Sequence, residues 1–320
     1  MDFCSIASGS SGNCIFAGSD ETAILIDAGI SCKRIAEGLA GIGRSLSDLT
    51  GILITHEHSD HISGLGVLSR KVQIPIYATA ATIRQIMRYT PIGKVDPSLF
   101  RVIKADTPFT IGDMRAEAFH ISHDAADPVA YRIEQGGKAA AVATDMGCYD
   151  DYTISHLKDL DVALVESNHD VNMLEVGPYP YPLKRRIMSE KGHLSNEAAG
   201  HLLTQILSPR MQAVYLGHLS QNNNYDALAY ATVTTEIDAD EDCEVRSHDL
   251  PIMVADRSHP MELVTVRGDG ARARQRRGGQ VGPGEEFHNE KGNYHGRRQG
   301  HSRYHCTGLH VSCRARDQYS

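Results

Sequence analysis

Ile52-Leu53-Ile54-Thr55-His56-Glu57-His58-Ser59-Asp60-His61 is the stretch that decides the fold. Its apolar half reads as a strand covered on both faces. Its polar half sets four metal-ligating side chains within six positions. In an extended chain residues i and i+2 point to the same side, so His56 and His58 can grip one ion together. Asp60 and His61 follow where the chain turns into a helix predicted over Ile62–Lys71. That turn re-aims them toward a second ion beside the first.

These four ligands do not complete two metal shells, so the others must come from further strand ends. His123 follows a strand predicted over Met114–Ser122, Asp145 one over Ala139–Thr144, and His218 one over Met211–Leu216. Asp27 closes a run over Ala23–Asp27 in the same manner. His120 is the alternative to His123, and the two face opposite ways on a strand. Further apolar runs at Gly51–Thr55, Ile74–Tyr77, Val129–Glu134 and Asp161–Val165 read as strands. Helices are predicted over Cys32–Gly41, Ala80–Arg88, Leu183–Glu190, Asn196–Leu207 and Tyr225–Glu236, with Ser195 and Asn224 as N-caps of the last two. Strands that alternate with helices in this way imply a layered α/β (α+β) architecture.

Composition sets outer limits. The chain has 320 residues, 41% apolar, enough for a packed core and too many for global disorder. No apolar run approaches the ~18 residues of a membrane helix. The N-terminus carries neither the basic nor the apolar part of a secretory signal, which points to the cytoplasm. Seven cysteines, odd in number and without Cys-x-x-Cys spacing, do not read as a disulfide framework or a zinc ribbon. The net charge of -8 is unevenly spread: residues 268–320 hold ten Lys/Arg and five Asp/Glu, leaving 22 basic and 35 acidic groups in residues 1–267. Residues 268–320 also contain ten glycines and only three of Val, Leu, Ile and Met, too little apolar surface to offset ordering. The expected organisation is one domain over 1–267 and a basic, disordered Gly/Arg/His-rich tail over 268–320. Cys306, Cys313, His305 and His310 in the tail fit no established zinc spacing.

In order and context, Ile26-Asp27-Ala28-Gly29, His56-Glu57-His58-Ser59-Asp60-His61, His123, Asp145 and His218 resemble the metallo-β-lactamase fold hydrolases, whose fold is a four-layer αβ/βα sandwich. Ser8-Gly9-Ser10-Ser11-Gly12-Asn13-Cys14, Ser122-His123-Asp124-Ala125, Glu166-Ser167-Asn168-His169-Asp170 and Gly192-His193-Leu194-Ser195-Asn196 narrow the likeness to the bacterial YycJ/WalJ branch. The resemblance implies one metal on His56, His58 and His123, a second on Asp60, His61 and His218, and Asp145 between them. It implies that Asp27 orients a ligand. His169 is the rival to His218 and a candidate substrate contact.

Mixed imidazole and carboxylate ligands suit two Zn2+ ions, with Mn2+ or Fe2+ as alternatives. Two such ions generate a bridging hydroxide at neutral pH. His193 would protonate the leaving oxygen, and Asp60 would accept the proton of the water. The implied activity is a phosphodiesterase, 5′-to-3′ exonuclease on DNA. The alternatives are a small-molecule hydrolase of the same fold (cyclic phosphodiester, thioester or lactone) and a non-catalytic metal-binding regulator. Lys184 and Arg185, in a basic run with Arg186, are candidate phosphate contacts. The acidic balance of residues 1–267 requires any DNA contact to be local. No membrane partner is expected, and the oligomeric state is left open.

Overall fold

The strands that emerge at the ligands belong to two facing sheets. The computed structural model describes residues 1–267. The tail expected over 268–320, with its arginines and its Cys/His group, lies outside the described residues. The first sheet holds β1 (Asp2–Ala7), β2 (Cys14–Gly18), β3 (Ala23–Ile26), β4 (Gly51–Leu53), β5 (Ile76–Thr79) and β6 (Phe100–Ile103). The second holds β7 (Phe109–Ile111), β8 (Met114–His120), β9 (Val129–Gln135), β10 (Lys138–Ala143), β11 (Val162–Glu166), β12 (Ala213–Gly217) and β13 (Ile252–Val254). A short β14 (Val264–Thr265) returns to pair with β1. β3 to β6 run parallel to one another, and so do β10 to β13. Their carboxyl ends are where ligands collect in sheets of this kind.

Side-chain alternation builds the layers. In β3, Ile24 and Ile26 join Tyr131, Val142 and Leu164 in the core between the sheets, while Leu25 joins Ile35 and Leu39 on the opposite face. In β11, Val162 and Leu164 face the other sheet, while Ala163 and Val165 pack with Leu202, Leu203 and Val233. Each buried Leu, Ile or Val contributes roughly 1.5–3 kcal/mol. Both faces of these strands are thus covered, as their unbroken apolar sequence requires. The result is the helix–sheet–sheet–helix sandwich expected from the sequence.

The first sheet is covered by α1 (Cys32–Gly41), α3 (Leu65–Val72) and α4 (Ala80–Arg88), with the single turn α2 (Ser59–Ile62) between α1 and α3. One helix was expected over Ile62–Lys71; two form, because Gly64 is pressed onto the preceding loop. Its N–H donates to the Ala28 carbonyl at 2.8 Å, and a Cβ there would lie 1.9 Å from the Ile30 carbonyl oxygen. On the second sheet's side follow α5 (Asp151–Leu157), α6 (Val171–Val176), α7 (Tyr181–Ile187), α8 (Asn196–Ile206) and α9 (Asp226–Ala239). Ser195 caps α8 by accepting from the Ala198 N–H, as expected. Asn224 does not cap α9. Tyr225 occupies that position, and the Asn224 amide donates instead to the Ser167 and Asn168 carbonyls. Among the described residues no helix is long and apolar enough to cross a membrane.

Candidate metal centre

Most residues of the candidate site lie just beyond a strand, where backbone leaves the sheet. Asp27 follows β3, His56 and His58 follow β4, His123 follows β8, Asp145 follows β10 and His218 follows β12. Asp27, Asp145 and His218 all have left-handed backbone, with φ of 63°, 62° and 56°. Such conformations are uncommon outside glycine and persist at functional sites where the surroundings enforce them. Asp60 and His61 ride on α2. That turn is docked closely: Asn13 N–H donates to the Asp60 carbonyl at 2.8 Å and Ala28 N–H to the His61 carbonyl at 2.9 Å. A Cβ on Gly29 would sit 1.6 Å from the Asp60 carbonyl oxygen, so only glycine permits this approach.

Three groups of potential ligand atoms result: His56, His58 and His123; Asp60, His61, Asp145 and His218; and Asp145, Glu166, His193 and His218, which shares two members with the second. In the first, His58 Nδ1 and His123 Nε2 are 3.2 Å apart. In the second, Asp60 Oδ2 lies 3.5 Å from His61 Nε2 and 3.3 Å from His218 Nε2. Asp145 stands between these two. Its Oδ1 is 3.7 Å from His123 Nε2 and 3.5 Å from His218 Nε2, and its Oδ2 is 3.2 Å from His61 Nε2. His56 Nε2 is buried without a hydrogen-bond partner, and Asp145 Oδ2 has only the His61 ring nearby, with no well-aligned hydrogen bond. Such orphans are rare in folded proteins. A cation among the imidazoles supplies each with a partner, so the donor set fits divalent metal ions.

The ligands are held from behind. Asp27 Oδ2 lies 2.7 Å from His61 Nδ1 and accepts from the Thr55 hydroxyl, while Asp27 Oδ1 accepts from Thr55 N–H. His123 Nδ1 faces the Gly192 carbonyl at 3.2 Å. Glu166, fully buried at the end of β11, faces both His218 Nδ1 at 2.9 Å and His193 Nδ1 at 2.8 Å through one oxygen. Its other oxygen accepts from the Met146 and Leu194 N–H groups. Carboxylate or carbonyl partners of this kind fix the ring orientation of metal-binding histidines. Sequence reasoning assigned Glu166 no role. Its signal was a carboxylate closing an apolar run, the same context that singled out Asp27.

Electrostatics follow from this crowding. Burial, then His61, hold the His56 imidazole well below its ordinary pKa, in the neutral form that binds metal. Burial opposes protonation of His218 too, but Asp145, Asp60 and Glu166 outweigh it and lift the group to about 10. Burial alone would raise the Glu166 carboxyl; His193 and His218 bring it down to about 2. His193 is raised because Glu166 and Asp145 overcome its burial.

Other expected site residues fall elsewhere. His120 is exposed beside Asp127 at 3.5 Å and stands outside all three groups. His169 is buried behind the site with its Nδ1 unpartnered, and it too stands outside the ligand groups. Lys184 donates to the Glu175 carbonyl at 2.7 Å, and Arg185 is exposed, so neither is tied to the centre. Arg186 is: its Nε donates to Asp124, the residue after His123, at 2.5 Å.

Residues 22–218 match the beta-lactamase superfamily domain. The chain is 41% identical over 232 residues to the exodeoxyribonuclease WalJ of Streptococcus pneumoniae, covering 72% of this chain and 86% of that protein. It is 38% identical over 234 residues to the exodeoxyribonuclease YycJ of Bacillus anthracis, covering 73% and 88%. Among solved structures, Zn(2+)-bound PqqB from Methylobacterium extorquens shares the fold, with a TM-score of 0.61 at 16% identity over 82% of this chain and all of that one. The chain therefore belongs to the beta-lactamase superfamily and, within it, to the family of WalJ and YycJ.

Proposed function

We propose that this protein is a two-zinc phosphodiesterase that degrades DNA as a 5′-to-3′ exonuclease in the cytoplasm. The exodeoxyribonuclease names of its relatives support the substrate. The five imidazoles and two carboxylates of the first two groups support zinc. His56, His58 and His123 would hold one ion, Asp60, His61 and His218 the other, and Asp145 would contact both. When bound, such a pair activates water and neutralises phosphoryl charge.

One observation carries the phosphodiester reading: Glu166 Oε1 meets both His193 Nδ1 and His218 Nδ1. A metal-site imidazole and a second imidazole that retains its proton are thereby fixed to one carboxylate. His193, with its side chain 20% exposed, can reach substrate. Its raised pKa keeps a proton for the leaving oxygen, a need that phosphodiester cleavage imposes. Asp60, at the rim of the site, takes up the proton released by water. Asp27 and Thr55 orient His61 and take no part in proton transfer.

The test is incubation of zinc-loaded protein with end-labelled duplex DNA, single-stranded DNA and bis-p-nitrophenyl phosphate. Progressive release of nucleotides from the 5′ end is the expected result. Turnover of the generic ester with intact DNA would instead favour a small-molecule hydrolase. No turnover of any substrate by metal-loaded protein would favour a regulator.

A further inference from the structure

Residues 1–267 carry a net charge of -13, so a polyanion approaching the centre needs a cation placed there locally. Asp124 deepens the problem. Its Oδ1 lies 3.5 Å from His123 Nε2 and 3.9 Å from His58 Nε2, on the rim of the first ligand group. Arg186 answers it. The Arg186 Nε holds Asp124 Oδ2, the Arg186 side chain is 57% exposed, and no hydrogen bond from its Nη1 or Nη2 occurs among the described residues. A guanidinium anchored at Nε keeps both Nη groups for a second anion, and its planar fork suits two phosphate oxygens. The backbone around it is also fixed to the site. From α7, which carries Arg186, the chain continues to Gly192, whose carbonyl faces His123, and the His193 N–H donates to the Ile187 carbonyl at 2.9 Å.

We propose that Arg186, anchored by Asp124, grips the phosphate next to the one being cut, and so selects a nucleic-acid strand over a lone phosphodiester. The proposal rests on the phosphodiesterase reading above. Asp124 acts as a positioning residue: it neutralises the Nε side of the guanidinium and sets its plane. Lys184 is instead turned to the Glu175 carbonyl, and no carboxylate pairs with Arg185 among the described residues, which is why the third member of the basic run is the one selected.

Steady-state kinetics of the zinc-loaded full chain on a single-stranded oligonucleotide and on bis-p-nitrophenyl phosphate test this. Arg186→Ala is expected to raise KM for the oligonucleotide ~10–100-fold, with kcat changed far less, and to raise the ratio of the two KM values by about the same factor. The slope of log(kcat/KM) against log[salt] on DNA should fall in magnitude by about one phosphate contact. Arg186→Lys should restore that slope while leaving KM elevated, because charge returns without the fork. Asp124→Asn should keep the slope and raise KM several-fold. A wild-type protein that cuts DNA, paired with an Arg186→Ala variant of unchanged KM and salt slope, overturns the proposal alone. A wild-type protein that leaves DNA intact overturns it together with the phosphodiesterase reading.

Discussion

At the residue scale, neighbouring histidines carry different duties, and substitution separates them. His58 offers Nδ1 to the first ligand group, whereas His193 faces Glu166. His58→Ala is expected to lose one bound metal and turnover together, measured by metal content and phosphodiester hydrolysis. His193→Ala should retain metal and lose ~10²–10⁴-fold in kcat on an unactivated diester, the usual contribution of a general acid. Full turnover by His193→Ala would remove its role as proton donor. Glu166→Gln should weaken metal binding or activity ~10–100-fold, because it supports two imidazoles at once. The ligand candidates could be read from sequence because each combines a His or Asp with the end of an apolar run. Glu166 shared that context but escaped, since carboxylates facing other side chains leave no spacing signature. Arg186 was legible only as one member of the basic run 184–186, a string of equal charges until Asp124 singles it out.

At the element scale, the centre depends on how closely α2 docks on the loop after β3. Gly29 and Gly64 allow that approach, with carbonyl oxygens 1.6 and 1.9 Å from where a Cβ would stand. Gly29→Ala must displace α2 and with it Asp60 and His61. Destabilisation of at least ~2 kcal/mol and weakened metal binding are expected, measured by thermal unfolding and metal titration. Most strands and helices were legible from apolar runs and caps; α1 and α4 match their expected limits. The division between α2 and α3 was not, because the obstacle to a continuous helix is backbone remote in sequence. The same holds for Asn224, whose cap role is displaced by buried carbonyls of residues 167 and 168.

At the scale of the whole molecule, two sheets bring their carboxyl ends together, and the cost is a set of buried titratable groups. His169 shows the consequence for stability. Burial lowers its pKa from 6.5 to about 4. The unfolded chain therefore takes up this proton first as pH falls. The stability that neutral His169 contributes is complete above the ordinary imidazole pKa and is lost progressively between about pH 6.5 and pH 4. The total is on the order of 3 kcal/mol at most. Denaturant titrations at several pH values should show a shallower acid slope for His169→Gln than for the wild type. An identical slope would mean that other groups govern acid stability.

The layered sandwich was legible from alternating strands and helices, and its metal edge from the His/Asp spacing. The pairing of the groups His56/His58/His123 and Asp60/His61/His218 across Asp145 is the claim on which the proposed activity rests. Calorimetric titration of the chelator-stripped protein with Zn2+, with oligonucleotide hydrolysis followed at each point, tests it most directly. Two equivalents per chain are expected, with hydrolysis rising as the second binds, and only one equivalent for His58→Ala. Full hydrolysis at one equivalent, with no second binding event in the wild-type protein, would contradict the account.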